Sequence, residues 1–205
     1  MTKYLLAFGL IVLTTLSCAA KDKISATGIL DNSVKAFDSA KSINMTMSIR
    51  SGSDAFEARL LMSKEKFRYV AGALTVFYDG KTQWTVDNET KEVSITQPTA
   101  DEIAETNPLA FVKSYKTKYK VNLVSESGGT YSVRLEAINK TSYVRSALVI
   151  ISATTWLPTH ITATLANGQN LTISVTNTLT NGSLPESPFK YNSTSYPGYE
   201  VFDLR

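Results

Sequence analysis

The sequence predicts a mainly β, α+β domain: one antiparallel sheet of about ten strands, curled into a half-open, unclosed antiparallel β-barrel with helices available to cover one face. Three observations predict it. Apolar and polar residues alternate with a period of two over much of the chain from Ile43 to Val175. Asp79-Gly80 lies between two β-rich runs, where Asp-Gly supplies the positive φ values of a tight hairpin loop. Helical spacing occurs only near residues 29–40 and between Pro98 and Tyr119, which provides three helices to cover one face of the sheet.

Residues 1–20, MTKYLLAFGLIVLTTLSCAA, carry a basic n-region at Lys3, an apolar run from Tyr4 to Leu13 and small residues ahead of Lys21-Asp22-Lys23. This is the pattern of an export signal, followed by a single domain over residues 21–205. The run is shorter than the roughly 20 apolar residues of a membrane span. Two processing readings stand. Cys18-Ala19-Ala20 suits ordinary signal peptidase and would release a soluble protein starting at or next to Lys21. Leu16-Ser17-Cys18 suits a lipoprotein box that would lipidate Cys18, although Thr15 stands where an aliphatic residue is usual. Soluble export is the expectation. The rest of the chain holds no cysteine, so it has no disulfide framework. Removing residues 1–20 takes one basic residue and no acidic one from a formal net charge of +3, leaving a nearly balanced chain. The locally basic stretches Lys64-Glu65-Lys66 and Lys113 to Lys120 read as solvated faces, and no Arg-rich aromatic stripe points to nucleic acid.

The first element is an amphipathic helix over Ile29 to Ala40, with Leu30, Val34 and Phe37 on one stripe. Strands follow. Ile43, Met45, Met47 and Ile49 alternate in the first, Phe56, Ala58, Leu60 and Met62 in the second, and Phe67 and Tyr69 in the third. A two-residue loop at Asp79-Gly80 then pairs Tyr78 with Lys81, Phe77 with Thr82, Thr75 with Trp84 and Ala73 with Val86, so that Phe77, Trp84 and Val86 share a face. Val93 and Ile95 continue the pattern. Thr99 and Glu102 are spaced as a capping box, and Asn107-Pro108 as an N-cap and first-turn pair, which implies two short helices bearing Ile103, Leu109, Phe111 and Val112. Strand patterns resume at Val121 and Leu123, then at Tyr131, Val133 and Leu135, and Leu148 to Ile151 is apolar on both faces. Around Asn167-Gly168-Gln169 the register that keeps the apolar face continuous opposes Leu165 to Leu171, Ala163 to Ile173 and Ile161 to Val175. Leu184-Pro185 to Pro188 reads as an exposed connection before the last strand segments.

Met45, Met47, Phe56, Leu60, Met62, Phe77, Trp84 and Val86 would line the concave face, a surface richer in methionine and aromatics than an aliphatic core. Two readings fit it, a deformable pocket and a filled core. Catalytic motifs are missing. His160, the only histidine, has no cysteine or second histidine beside it in the sequence, and there is no nucleophile elbow, Walker loop or dinucleotide fingerprint. No enzyme activity, cofactor or metal is expected.

Four passages together resemble the LolA-type carriers of outer-membrane lipoproteins: Lys66-Phe67-Arg68-Tyr69, Tyr78-Asp79-Gly80-Lys81-Thr82-Gln83-Trp84, Leu157-Pro158 through Asn167-Gly168, and the closing FKYNSTSYPGYEVFDLR from Phe189 to Arg205. The resemblance implies an unclosed barrel with a helical lid over a hydrophobic cavity, working in the periplasm, most simply as a monomer, and carrying acylated lipoproteins from an inner-membrane ABC-type release complex to an outer-membrane acceptor. It also implies acyl-chain binding by Phe37, Met45, Met47, Phe56, Leu60, Met62, Phe77, Trp84, Val86, Leu109 and Phe111. One departure stands out. The family often carries an arginine ahead of the Phe67 position that hydrogen-bonds the lid, and this chain reads Met62-Ser63-Lys64-Glu65 there, leaving Lys64 or Arg68 as substitutes. A lipid-anchored receptor or periplasmic lipid sensor of the same fold, tethered through Cys18, is the alternative.

Overall fold

A computed structural model describes residues 23–99, 102–103, 114–182 and 184–205. Helix α1 (Ala26–Ser39) is followed by six strands, β1 (Ser42–Ser51), β2 (Asp54–Ser63), β3 (Lys66–Ala71), β4 (Leu74–Tyr78), β5 (Gln83–Asp87) and β6 (Glu92–Thr96). A single helical turn, α2 (Tyr115–Lys118), then leads into β7 (Tyr119–Ser127), β8 (Thr130–Ala137), β9 (Val144–Ser152), β10 (Pro158–Leu165) and β11 (Asn170–Asn181), and the chain closes with β12 (Glu200–Asp203). All twelve strands form one sheet, in the order β12-β6-β5-β4-β3-β2-β1-β11-β10-β9-β8-β7. Its two edge strands, β12 and β7, do not meet, so the barrel is unclosed as expected. Neighbours pair antiparallel except β12, which runs parallel to β6.

Alternation sorts the side chains. Ile43, Met45, Met47 and Ile49 on β1 oppose Met62, Leu60, Ala58 and Phe56 on β2, and the same face continues through Phe67 and Tyr69 on β3. On the other side of β1 it continues through Val175, Ile173 and Leu171, then Ile161 and Ala163, Val149 and Ala147, and Val133 and Leu135. This is the core face, and α1 lies on it. Ser25 caps the helix by accepting a hydrogen bond from Gly28 N at 3.0 Å. Ile29, Leu30 and Phe37 are buried in the same cluster as Met45, Met47, Leu60 and Met62. Ala26 and Ser33 are the other buried positions on the helix, and Val34 is only half-buried.

The Asp79-Gly80 hairpin has a longer loop than its sequence suggests. Tyr78 pairs with Gln83, Phe77 with Trp84 and Thr75 with Val86, leaving Asp79 to Thr82 as a four-residue loop. The Asp79 carboxylate accepts from the backbone N–H groups of Lys81 and Thr82 at 3.0 and 2.9 Å, and this Asx turn draws two more residues out of the ladder. A shift of two preserves the face, so Phe77, Trp84 and Val86 still lie together. The β10–β11 hairpin is offset in the same way. Ile161 pairs with Ile173 and Ala163 with Leu171, the loop being Ala166-Asn167-Gly168 with Gly168 at φ +82°. The apolar face is again kept.

Candidate functional site

The predicted site residues fall into two groups on opposite faces of the sheet. Phe37, Met45, Met47, Leu60 and Met62 are buried together under α1, and Phe56 sits on the same face at the rim, 39% exposed. Phe77, Trp84 and Val86 do not join them. Through β3 and β4, Phe67 pairs with Tyr78 and Tyr69 with Val76, which places Tyr78 and Val76 on the helix-covered face and turns Phe77 to the other. A single cavity shared by Met47, Phe56, Phe77 and Trp84 is therefore excluded by the register. The physical reason lies in β4, which reads Leu-Thr-Val-Phe-Tyr and is buried on both faces, so its alternation cannot say which face is concave. Leu109 and Phe111, with the Asn107-Pro108 helix, lie outside the described residues. The Thr99–Glu102 capping box is formed: Glu102 Oε2 accepts from Thr99 N at 2.7 Å, and Glu102 N donates to Thr99 Oγ1 at 3.3 Å.

The second face has its own cover. Phe77, Val86 and Val93 are buried there with Trp84, Tyr191, Tyr196 and Tyr199 packed over them. Tyr196 meets Phe77 edge-on at 6.4 Å and stacks on Tyr191 at 5.4 Å. Glu186 pairs with Lys66 at the start of this segment, and β12 binds β6 at its end. The connection from Leu184 to Pro188 is thus the beginning of a strap across the convex face, with Phe189 fully buried beneath it. Arg68 points into this face, its guanidinium 5.2 Å from the Phe77 ring centroid, so it cannot reach α1. Lys64 lies in the exposed β2–β3 turn at φ 56°.

What holds α1 is a different group. Buried Tyr115, on α2, is within hydrogen-bonding distance of Asp31 Oδ1 (2.8 Å) and of the Thr27 carbonyl (3.2 Å), both on α1. Lys116 Nζ lies 2.7 Å from the same Asp31 oxygen. These hydrogen bonds, from Lys116 first and then Tyr115, hold the Asp31 carboxyl below its ordinary value, while burial and then the Asp31 hydrogen bond push the Tyr115 phenol well up. The described part of the basic stretch, Tyr115 to Lys120, is therefore more than a solvated face. Its sequence signal was the pair Tyr115 and Tyr119, four residues apart and both buried.

Past the C-terminal end of α1, a cavity of about 730 Å³ opens between the helix, the β9–β10 turn and β11. Ala36, Ala40, Leu157, Pro158 and Val175 give it an apolar floor continuous with the core, and serine, threonine and asparagine side chains form its rim. No residue in the predicted set lines it. His160 is on the convex face, with Nδ1 3.1 Å from Ser174 Oγ and Nε2 3.3 Å from Thr162 Oγ1.

The described residues thus form a half-open barrel whose apolar face is packed by α1 together with Ile103 and Tyr115. Residues 16–169 match the family described as outer membrane lipoprotein carrier protein LolA, and the chain belongs to that family. Members of the family are binding and carrier proteins. Among solved structures, an uncharacterized conserved protein from Thermus thermophilus is similar over 87% of this chain and 98% of its own, with a TM-score of 0.61 at 14% identity. A LolA superfamily protein from Nitrosomonas europaea is similar over 82% of this chain and 99% of its own, with a TM-score of 0.44 at 11% identity. No curated protein sequence gives a significant match.

Proposed function

We propose that the protein is a periplasmic carrier that receives acylated lipoproteins from an inner-membrane ABC-type release complex, holds their acyl chains against the helix-covered face and hands them to an outer-membrane acceptor. The observation that carries this reading is that, among the described residues, the continuous apolar face is covered chiefly by the 14-residue helix α1, with Ile103 and Tyr115 packed beside it. A helix of that length is marginal without the surface it packs on. Burial of Ile29, Leu30 and Phe37 is worth roughly 1.5–3 kcal/mol each, and each acyl methylene buried in their place returns about 0.8 kcal/mol. About six to eleven methylenes therefore offset the loss of these helix contacts. Exchange near balance is what carriage requires, because cargo must leave as well as enter and no covalent chemistry is needed for either. The acyl-binding residues of this reading are Phe37, Met45, Met47, Leu60 and Met62, with Phe56 at the rim.

The test is periplasmic extraction without detergent, followed by native and intact mass measurement. A soluble species beginning at or next to Lys21, free of lipid on its own N-terminus and co-purifying with an acylated lipoprotein, is the expected result. A detergent-dependent species acylated at Cys18 would overturn the carrier and support the anchored receptor, because two or more chains hold a protein at one bilayer.

A further inference from the structure

The cavity at the end of α1 has an uncommon lining. Ser39, Ser152, Thr155, Thr159, Thr176, Asn177, Thr178 and Thr180 surround an apolar floor, and the described residues that line it include no Asp, Glu, Lys or Arg. Several of these hydroxyls are already committed: Ser39 donates to the Ala36 carbonyl at 3.1 Å, Thr159 to that of Ile150 at 3.3 Å and Thr176 to that of Thr46 at 3.1 Å. Thr178 and Thr180 are not. They lie two apart on β11, opposite Met45 and Ile43, hence on the concave face, and their hydroxyls make no hydrogen bond among the described residues.

Two backbone irregularities build this rim. The β1–β11 register shifts between Thr46 and Met47, leaving Thr176 as the extra residue of a bulge that brings Thr178 onto the face Val175 occupies. On the opposite wall, Trp156 holds φ at 60°, a left-handed conformation that a bulky residue rarely adopts, and its ring stacks on Tyr131 at 5.5 Å. Its neighbours Thr155 and Leu157 line the cavity as a result. The volume is that of a small-molecule site.

We infer that this neutral hydroxyl collar is the subsite for the uncharged linkage region of an acylated ligand, its ester and amide carbonyls, and that it selects against ionised phospholipid headgroups. The inference rests on the carrier reading and adds a specificity to it. Acyl chains lying beneath α1 end at this mouth, where their linkage carbonyls leave water. Free hydroxyl donors satisfy such carbonyls without a charge. A phosphodiester placed there would find no cation among the described lining residues, and burying an unpaired charge is far more costly than burying a hydrogen-bonded carbonyl.

The test uses the full mature chain and competition against an environment-sensitive acyl probe by three lipids of matched chain length: a triacylated lipopeptide with a neutral peptide, a diacylglycerol and phosphatidylglycerol. The expected result is that both uncharged lipids compete at least about tenfold better than phosphatidylglycerol. Either ranking between those two supports the collar and identifies which linkage it reads. Thr178→Val with Thr180→Val should weaken the uncharged lipids about fivefold for each hydrogen bond lost, and Thr178→Lys should bring phosphatidylglycerol up to them. Equal competition by all three lipids in the unaltered protein, or an unchanged preference in both correctly folded variants, overturns the collar and leaves the carrier standing. If the probe and all three lipids fail to bind, the carrier reading falls and takes the collar with it.

Discussion

Substituting Tyr115→Phe isolates the attachment of α1, because the ring stays in its buried socket and only the hydroxyl is lost. That hydroxyl lies 2.8 Å from Asp31 Oδ1 and 3.2 Å from the Thr27 carbonyl, so one atom ties α2 to the first turns of the helix. A hydrogen bond to a charged group is worth about 1.5–3 kcal/mol. The Asp31 side chain is 37% exposed and keeps Lys116 at 2.7 Å, so solvent and the remaining partner reduce the net effect to about 1–2 kcal/mol. Since about 1.4 kcal/mol is a factor of ten, the helix should open roughly tenfold more often. Native-state hydrogen exchange reads this directly: amides of residues 26–39 should exchange about tenfold faster, with those of β9 unchanged. Unchanged exchange in α1 would refute the attachment. Equal acceleration of α1 and β9 would show that Tyr115 supports the whole fold and does not act on the helix alone.

Two further outcomes follow from the same geometry. The Asp31 carboxyl is held below its ordinary value of 3.8, so its contribution is complete above that pH and is lost as pH falls through the lower folded value; α1 protection should drop on acidification below about pH 4, and Asp31→Asn should abolish this drop. Phe77→Ala should cost about 3–5 kcal/mol in urea unfolding, through lost contacts with Val86, Tyr196 and Arg68, yet leave acyl-lipid affinity unchanged, and a parallel loss of affinity would return the convex face to the site.

The concave face could be read from the sequence where one face of a strand is apolar and the other polar. On β1, Ile43 to Ile49 alternate with Asn44, Thr46 and Ser48, and their placement is as expected. Face assignment failed on β4, where Val76 and Phe77 are both buried because the distant strap from Glu186 to Tyr199 covers the convex side. No local pattern announces such a cover. The hairpin registers were each off by an amount that preserves parity, since alternation fixes which face a residue occupies and turn chemistry fixes which residue it meets. The neutral collar was not legible, and of the α1 attachment the Tyr115 and Tyr119 spacing marked one side without naming its partner. Asp31 and Tyr115 are far apart in sequence, and Thr178 reaches the concave face only through the bulge at Thr176.

The two covers of this sheet are attached in different ways, and that difference argues for which one moves. The convex strap is built into the sheet by its backbone: β12 pairs with β6, Glu200 N donates to the Lys91 carbonyl and Leu204 N to that of Ile95, both at 2.9 Å. To lift it, ladder hydrogen bonds must break and an aromatic cluster must be exposed to water. Among the described residues, α1 has no backbone–backbone hydrogen bond to any other element. It is held by side chains, by an apolar stripe that an acyl chain can imitate and by a polar tie at Asp31. Ser33 fits the same picture, because its hydroxyl is buried without a hydrogen-bond partner among the described residues, a penalty that disappears when the helix lifts. A cover held by side chains opens without breaking a sheet hydrogen bond, so on the carrier reading proposed above α1 is the cover that admits cargo, while the backbone-paired strap stays in place.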